Sequence, residues 1–340
     1  MIKPAPIRLH LNENTAGCSP AVFDTLQRLG RGDAGFYPNY DAARHAAAGC
    51  FGVSADHVLL TNGLDEGILA AAAAAFRDRT GGVPETIGVA PAFDMYEVCT
   101  AALGGRMVTV PLDDSYDLDA EAIVAAVTPA TRIVFLANPH NPSGRPVPLD
   151  VLRALARRIA PVLLFVDEAY ADFSGDTLID PAVFTALPNL LVGRTFSKAY
   201  GLAGLRIGAV VGAPAQLLPL RQIVPPYSLN AWAAAALPGA IGDRAYRDWY
   251  LDQAAASRAL LEEACATFGL RSWRSAANFV LVRVGERAPA IVAALSARGV
   301  LVRDRSKETG CEGCLRVTAG IVEDTRRAIA AIEEVLCAVR

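Results

Sequence analysis

The chain reads as an α/β protein: a large domain with a mostly parallel seven-stranded sheet between helices, and a smaller α+β domain beside it. Three observations predict this. Its 340 residues exceed what one small hydrophobic core usually organises. Hydrophobic residues make up 53% and charged residues 20%, so the chain can bury a large core. Between about residues 58 and 211, short β-branched runs alternate with alanine- or leucine-rich helical stretches, the pattern of a parallel sheet covered on both faces.

The elements follow in order. Ser19-Pro20 marks a helix start in the N-terminal segment, with a capping hydroxyl followed by proline in the first turn. Strands are predicted at Val58–Leu60, Thr86–Ala90, Arg106–Val110, Ile133–Ala137, Val162–Val166, Leu190–Val192 and Ile207–Val211. Helical patterns lie between several of them, at Asp65–Arg77, Phe93–Leu103, Asp119–Val127 and Leu149–Ile159. A long helical pattern, Asp243–Phe268, then leads to strands near Asn278–Val284, Val300–Arg303 and Leu315–Thr318, with helices near Ala288–Ala297 and Glu323–Val339. The expected division is residues 36–242 for the large domain, with 1–35 and 243–340 forming the small one.

Composition excludes several classes. A formal net charge of −3 and the lack of a basic run argue against a nucleic-acid partner. Residues Met1 to Pro6 hold no apolar stretch of secretory length, and the longest apolar run, Ile68 to Phe76, is too short for a bilayer. Seven scattered cysteines fit reduced thiols, so a soluble cytoplasmic protein is expected. Histidines 10, 45, 57 and 140 make no ligand pattern, and Cys311-x-x-Cys314 lacks a second pair, so no metal is expected. Of the 32 basic residues only Lys3, Lys198 and Lys307 are lysines. A lysine kept where arginine has replaced nearly all others is a candidate for chemistry that arginine cannot do.

In an open α/β sheet, ligands sit beyond the carboxyl ends of the strands, so the loops there are where chemistry is sought. Lys198, in Arg194-Thr195-Phe196-Ser197-Lys198, follows one predicted strand. Its amine can form a Schiff base when its pKa is depressed; a solvated surface lysine is the alternative. Asp167 ends another strand, where a buried carboxylate needs a partner such as a protonated ring nitrogen, a metal ion or a structural arginine. Asn138-Pro139-His140-Asn141-Pro142-Ser143-Gly144 forms an ordered turn, from which Asn141 could donate to a ligand oxygen or simply close an Asx turn. The helix start at Asn62-Gly63-Leu64-Asp65-Glu66 offers backbone N–H groups to a phosphate, with plain capping by Asp65 as the alternative. Arg206, in Gly204-Leu205-Arg206, adds a cation close to Lys198.

Together, Asn141-Pro142-Ser143-Gly144, Asp167-Glu168-Ala169-Tyr170, Ser197-Lys198 and Gly204-Leu205-Arg206 resemble fold-type I aminotransferases dependent on pyridoxal 5′-phosphate (PLP), and more narrowly the histidinol-phosphate aminotransferase group. Leu11-Asn12-Glu13-Asn14, Tyr37-Pro38 and Leu315-Arg316-Val317-Thr318 extend the resemblance over roughly residues 9 to 335. It implies that Lys198 holds PLP as a Schiff base and shuttles a proton, and that Asp167 pairs with the pyridine nitrogen. Asn141 and Tyr170 would bond the phenolic oxygen and Phe93 would stack on the ring. Ser197, Arg206 and the helix start at Leu64, Asp65 and Glu66 would hold the phosphate, joined by Tyr37 from the other subunit of a homodimer. Arg316 would grip the substrate α-carboxylate, with Arg303 and Asn12 also at the substrate.

The resemblance implies transamination of histidinol phosphate and 2-oxoglutarate to imidazole-acetol phosphate and glutamate. Three alternatives stay open: an aminotransferase for aromatic or other amino acids, a PLP-dependent decarboxylase of a phosphorylated amino acid, and a non-catalytic PLP-binding sensor.

Overall fold

A computed structural model describes residues 5–338. Among these residues the strands form two sheets. The larger contains β2 (Val58–Thr61), β3 (Glu85–Ala90), β4 (Arg106–Pro111), β5 (Thr131–Ala137), β6 (Leu163–Asp167), β7 (Leu190–Thr195) and β8 (Gly208–Gly212), in the order β2-β8-β7-β6-β5-β3-β4. All neighbours are parallel except β8, which runs antiparallel to both β2 and β7. The central strands are buried on both faces, which is why they read as continuous apolar runs rather than as alternations. One face packs under the helix Leu149–Ile159 through Leu152, Leu155 and Ile159. The other packs under the alanine-rich helix Gly63–Ala75 through Leu64, Ile68 and Ala71.

All seven predicted strands of this sheet occur, and helix Leu149–Ile159 has the predicted bounds. The helix predicted from Asp65 starts two residues earlier, because Gly63 adopts a left-handed φ of +74° and turns the chain directly out of β2. The two longest helices without a counterpart in the prediction are Asp41–Phe51 and Ala231–Gly242. Both are alanine-rich, so their buried faces carry no row of large apolar side chains to betray a period.

The smaller sheet joins β1 (Ile7–Leu9) to β9 (Arg271–Ser272), β10 (Phe279–Arg283), β11 (Val300–Asp304) and β12 (Cys314–Thr318), in the order β1-β11-β12-β10-β9. Strand β1, too short to be read from pattern, pairs in parallel with β11, while the other strands are antiparallel. Helices Arg244–Thr267, Ala288–Ala297 and Val322–Ala338 bury Leu261, Leu295 and Val335 against it. The expected helix start after Ser19 is present, with the Ser19 hydroxyl accepting the Val22 N–H at 3.4 Å. Lys3 and Val339, named in the sequence reading, lie outside the described residues. No described helix is long and apolar enough to cross a membrane.

Candidate active site

The register of the large sheet brings three strand ends together. Ala137 of β5 lies beside Asp167 of β6, which lies beside Gly193 of β7. A cleft of about 370 Å³ opens over them, lined by Leu64, Asp65, Phe93, Asn141, Asp167, Tyr170, Ser197, Lys198 and Arg206, with Leu11 and Glu13 arriving from the N-terminal segment. Its size suits a small cofactor with a substrate.

Each wall is held by identifiable bonds. Asn138 ties the loop after β5 back on itself, its side chain accepting the Val147 N–H at 2.8 Å and donating to the Val147 carbonyl at 3.2 Å. His140 clamps the same loop to the end of β3, with Nε2 donating to the Pro91 carbonyl at 2.9 Å and Nδ1 accepting the Ser143 hydroxyl at 2.7 Å. Burial draws its pKa down to about 4, so the ring is neutral and spends both nitrogens on structure. Asn141 accepts a bond from Arg316 Nη1 at 2.6 Å, which leaves its amide N–H groups for a ligand.

Asp167 is buried at 5% exposure. Oδ1 accepts the Ala169 N–H at 3.0 Å and Oδ2 accepts the Tyr96 hydroxyl at 2.8 Å. Burial raises its pKa to about 6, against the opposing effect of these two donors. Among the described residues no arginine pairs with it: Arg194 beside it goes to Glu168 at 3.4 Å and Asp172 at 2.9 Å. A buried carboxylate held only by neutral donors is complementary to a cationic N–H.

Lys198 stands past the end of β7, its Nζ donating to the Leu11 carbonyl at 2.8 Å. Burial first, then the positive charges of Arg316 and Arg206, pull its pKa to about 8, so far more of it is free amine near neutrality than in an ordinary lysine. Arg206, at φ +55°, donates to Asp65 Oδ2 at 3.0 Å. Tyr170 accepts the Asn12 amide at 3.0 Å and packs edge-on against Phe279 at 5.0 Å. Arg316 reaches the cleft from β12, its guanidinium over the Phe279 ring at 5.3 Å and its Nη2 donating to the His10 carbonyl at 3.1 Å.

Three residues named from the sequence lie elsewhere. Glu66 turns away from the cleft, accepting the Asn62 N–H at 2.6 Å and the Ser228 hydroxyl at 2.9 Å. Tyr37 is 78% exposed and stacks on Tyr227 at 4.2 Å. Arg303 is exposed on β11, directly opposite Arg316 in the sheet register. Conversely, sequence reasoning passed over Tyr96 and the Leu11 carbonyl. The spacing of Phe93 and Tyr96, three residues apart at a helix start, was the available signal for the first; a backbone carbonyl leaves none.

A poised amine, a buried carboxylate and a helix start with Arg206 beside it, around one cleft, define a Schiff-base enzyme of the PLP type, and the residues present fit that group. The profile described as "Aminotransferase class I and II" matches residues 4–332. Histidinol-phosphate aminotransferase of Roseobacter denitrificans is 36% identical over 341 residues, covering 96% of this chain and 90% of that protein. Histidinol-phosphate aminotransferase 2 of Ralstonia nicotianae is 37% identical, covering 97% and 88%. The structure resembles histidinol-phosphate aminotransferase of Sinorhizobium meliloti in complex with pyridoxal-5′-phosphate, at a TM-score of 0.86 and 29% identity over 98% of this chain and 91% of that one. Aspartate aminotransferase of Thermus thermophilus shares the fold at a TM-score of 0.79 and 23% identity, over 97% and 92% of the two chains. The chain belongs to the aminotransferase class I and II family and is a PLP-dependent transferase.

Proposed function

We propose that this chain moves an amino group from histidinol phosphate to 2-oxoglutarate. The observation that carries the reading is the pairing of two arginines on one face of the small sheet. Arg303 and Arg316 are directly opposed in register, and like charges so placed repel unless an anion lies between them. Arg316 is buried and bonds the cleft residue Asn141, whereas Arg303 is exposed. A donor or acceptor with a second anionic group, a phosphate or a distal carboxylate, is complementary to that pair. Similarity to two enzymes named histidinol-phosphate aminotransferase favours the phosphate-bearing donor.

The cofactor, when bound, supplies an aldehyde for the amine and a ring that accepts electron density from the substrate Cα. The protein's residues do the rest. Lys198 would hold the aldehyde and, as a free amine, would be the base that takes the substrate Cα proton and gives it back. Asp167 holds the ring nitrogen protonated. Asn141 and Tyr170 orient the phenolic oxygen, Phe93 covers the ring, and Ser197, Arg206 and the N–H groups at Leu64 and Asp65 hold the phosphate. Arg316 and Asn12 orient the substrate. Tyr37, remote from its own cleft, serves the partner's phosphate site in a homodimer. Residues 36–242 would form the large cofactor-binding domain and the flanking segments the small one, in a cytoplasmic enzyme.

The absorption spectrum of the purified protein, recorded before and after adding histidinol phosphate without oxo acid, tests this. Loss of the yellow band with pyridoxamine phosphate appearing is the expected result. A yellow protein unchanged by this donor would move the substrate elsewhere. A protein colourless with PLP supplied would overturn the reading of Lys198.

A further inference from the structure

Resting on the cofactor reading above, we propose that Tyr96 is a positioning residue for the reaction, its hydroxyl keeping Asp167 ionised so that the proton shared with the cofactor ring stays on the nitrogen. The two side chains are buried together, Tyr96 at 1% exposure and Asp167 at 5%. The Tyr96 hydroxyl donates to Asp167 Oδ2 at 2.8 Å. No other side-chain donor reaches the carboxylate among the described residues; the second bond comes from the Ala169 backbone.

The phenol cannot swing away. Its ring is stacked on Phe135 at 5.1 Å and meets Phe93 edge-on at 5.7 Å, and it stands in the first turn of the helix Met95–Ala102. Nor can it reverse its role: burial and the Asp167 charge hold its pKa well above the usual tyrosine range, so it is a donor at every working pH. The other charged or titratable groups facing the pair are Asp65, which disfavours the Asp167 anion, Lys198, which favours it, and Tyr170 beside Tyr96.

The consequence is a choice of proton position. Burial makes Asp167 more basic than an ordinary carboxylate, and a more basic carboxylate competes for the ring proton. A donor on Oδ2 favours the charged form over the neutral one and so limits that drift. The same side chain also meets Phe93 edge-on, so one residue fixes both the acid and an aromatic ring that would hold the cofactor.

Tyr96→Phe removes one oxygen and keeps both ring contacts. With ¹³C-labelled aspartate in the full chain without cofactor, the Asp167 titration midpoint should rise by about one to two pH units. With ¹⁵N-labelled PLP bound, the ring-nitrogen signal should move towards its unprotonated position, and kcat should fall about tenfold or more with KM for the donor unchanged. In an Asp167→Asn background, Tyr96→Phe should add almost nothing, since the hydroxyl acts through that carboxylate. If the variant does not fold, 3-fluorotyrosine at position 96, a stronger donor, must lower the midpoint instead. An unchanged midpoint and nitrogen signal would overturn the proposal. Failure of the unmodified chain to bind PLP would overturn the cofactor reading alone, because the ¹³C titration still decides whether Tyr96 controls Asp167.

Discussion

At the scale of single residues the cleft is built from groups held in unfavourable protonation states, and that has a measurable cost. Asp167 sits at about 6 rather than the ordinary 3.8, so the folded chain without cofactor binds more protons than the unfolded one between those values. Stability therefore falls as pH rises through that window, and above it the charged form costs up to about 3 kcal/mol. Asp167→Asn should stabilise the cofactor-free protein by up to that amount at pH 8, with the gain shrinking towards pH 4. Urea unfolding at the two pH values checks this, and an equal difference at both would refute it. The gain is bought with function, since asparagine cannot hold a ring nitrogen protonated. Residues of this sort were legible in sequence because their type is unusual for their place: an acid closing a strand at Asp167, one of three lysines at Lys198. Tyr96 was not legible, since a buried tyrosine in a helix is ordinary until its hydroxyl is seen to meet Asp167.

At the scale of elements the turn from β2 into the helix Gly63–Ala75 is the most sensitive joint. A Cβ at Gly63 would lie 2.5 Å from Arg206 Nη2, in a backbone conformation that side chains disfavour. Gly63→Ala should cost about 1–2 kcal/mol in backbone strain. By displacing the Arg206 guanidinium it should also weaken PLP binding about tenfold or more. Thermal melting and a PLP titration separate the two effects; a variant with lowered stability and normal PLP affinity would remove Arg206 from the phosphate site. Sequence reading located the strands from β2 to β8 because they are short apolar runs, the central ones buried on both faces. It failed for Asp41–Phe51 and Ala231–Gly242, where alanine leaves no amphipathic contrast, and for β1, whose three residues carry no period. It also gave Glu66 to the phosphate with its neighbours; a helix start turns about 100° per residue, and Glu66 faces Asn62 and Ser228 instead.

At the scale of the whole molecule the open question of assembly becomes a complementation experiment. Tyr37 and Tyr227 stack on each other in an exposed position, outside the cleft of their own chain. If Tyr37 completes the partner's site, inactive Lys198→Ala and weakened Tyr37→Phe chains should restore one another when mixed and reassociated. Each mixed dimer then holds one intact site, so random pairing returns about a quarter of full activity. Activity no greater than the average of the two separate variants would show that each subunit works with its own residues only.

The pairing of β1 with β11 bears on how the enzyme is made. Residues 7–9 join residues 300–302, and the segment that follows brings the Leu11 carbonyl to Lys198 and the Asn12 amide to Tyr170. Residues 7–9 must thus wait for residues 300–302 to be synthesised before they have a strand to lie against. The large sheet, complete once Gly212 has emerged, can form during synthesis, because domains generally fold as units from the N-terminal side. Its reactive lysine stays without the wall that Leu11 supplies until β11 has been made, and a nascent chain stalled short of β11 would present a folded scaffold with an unfinished site.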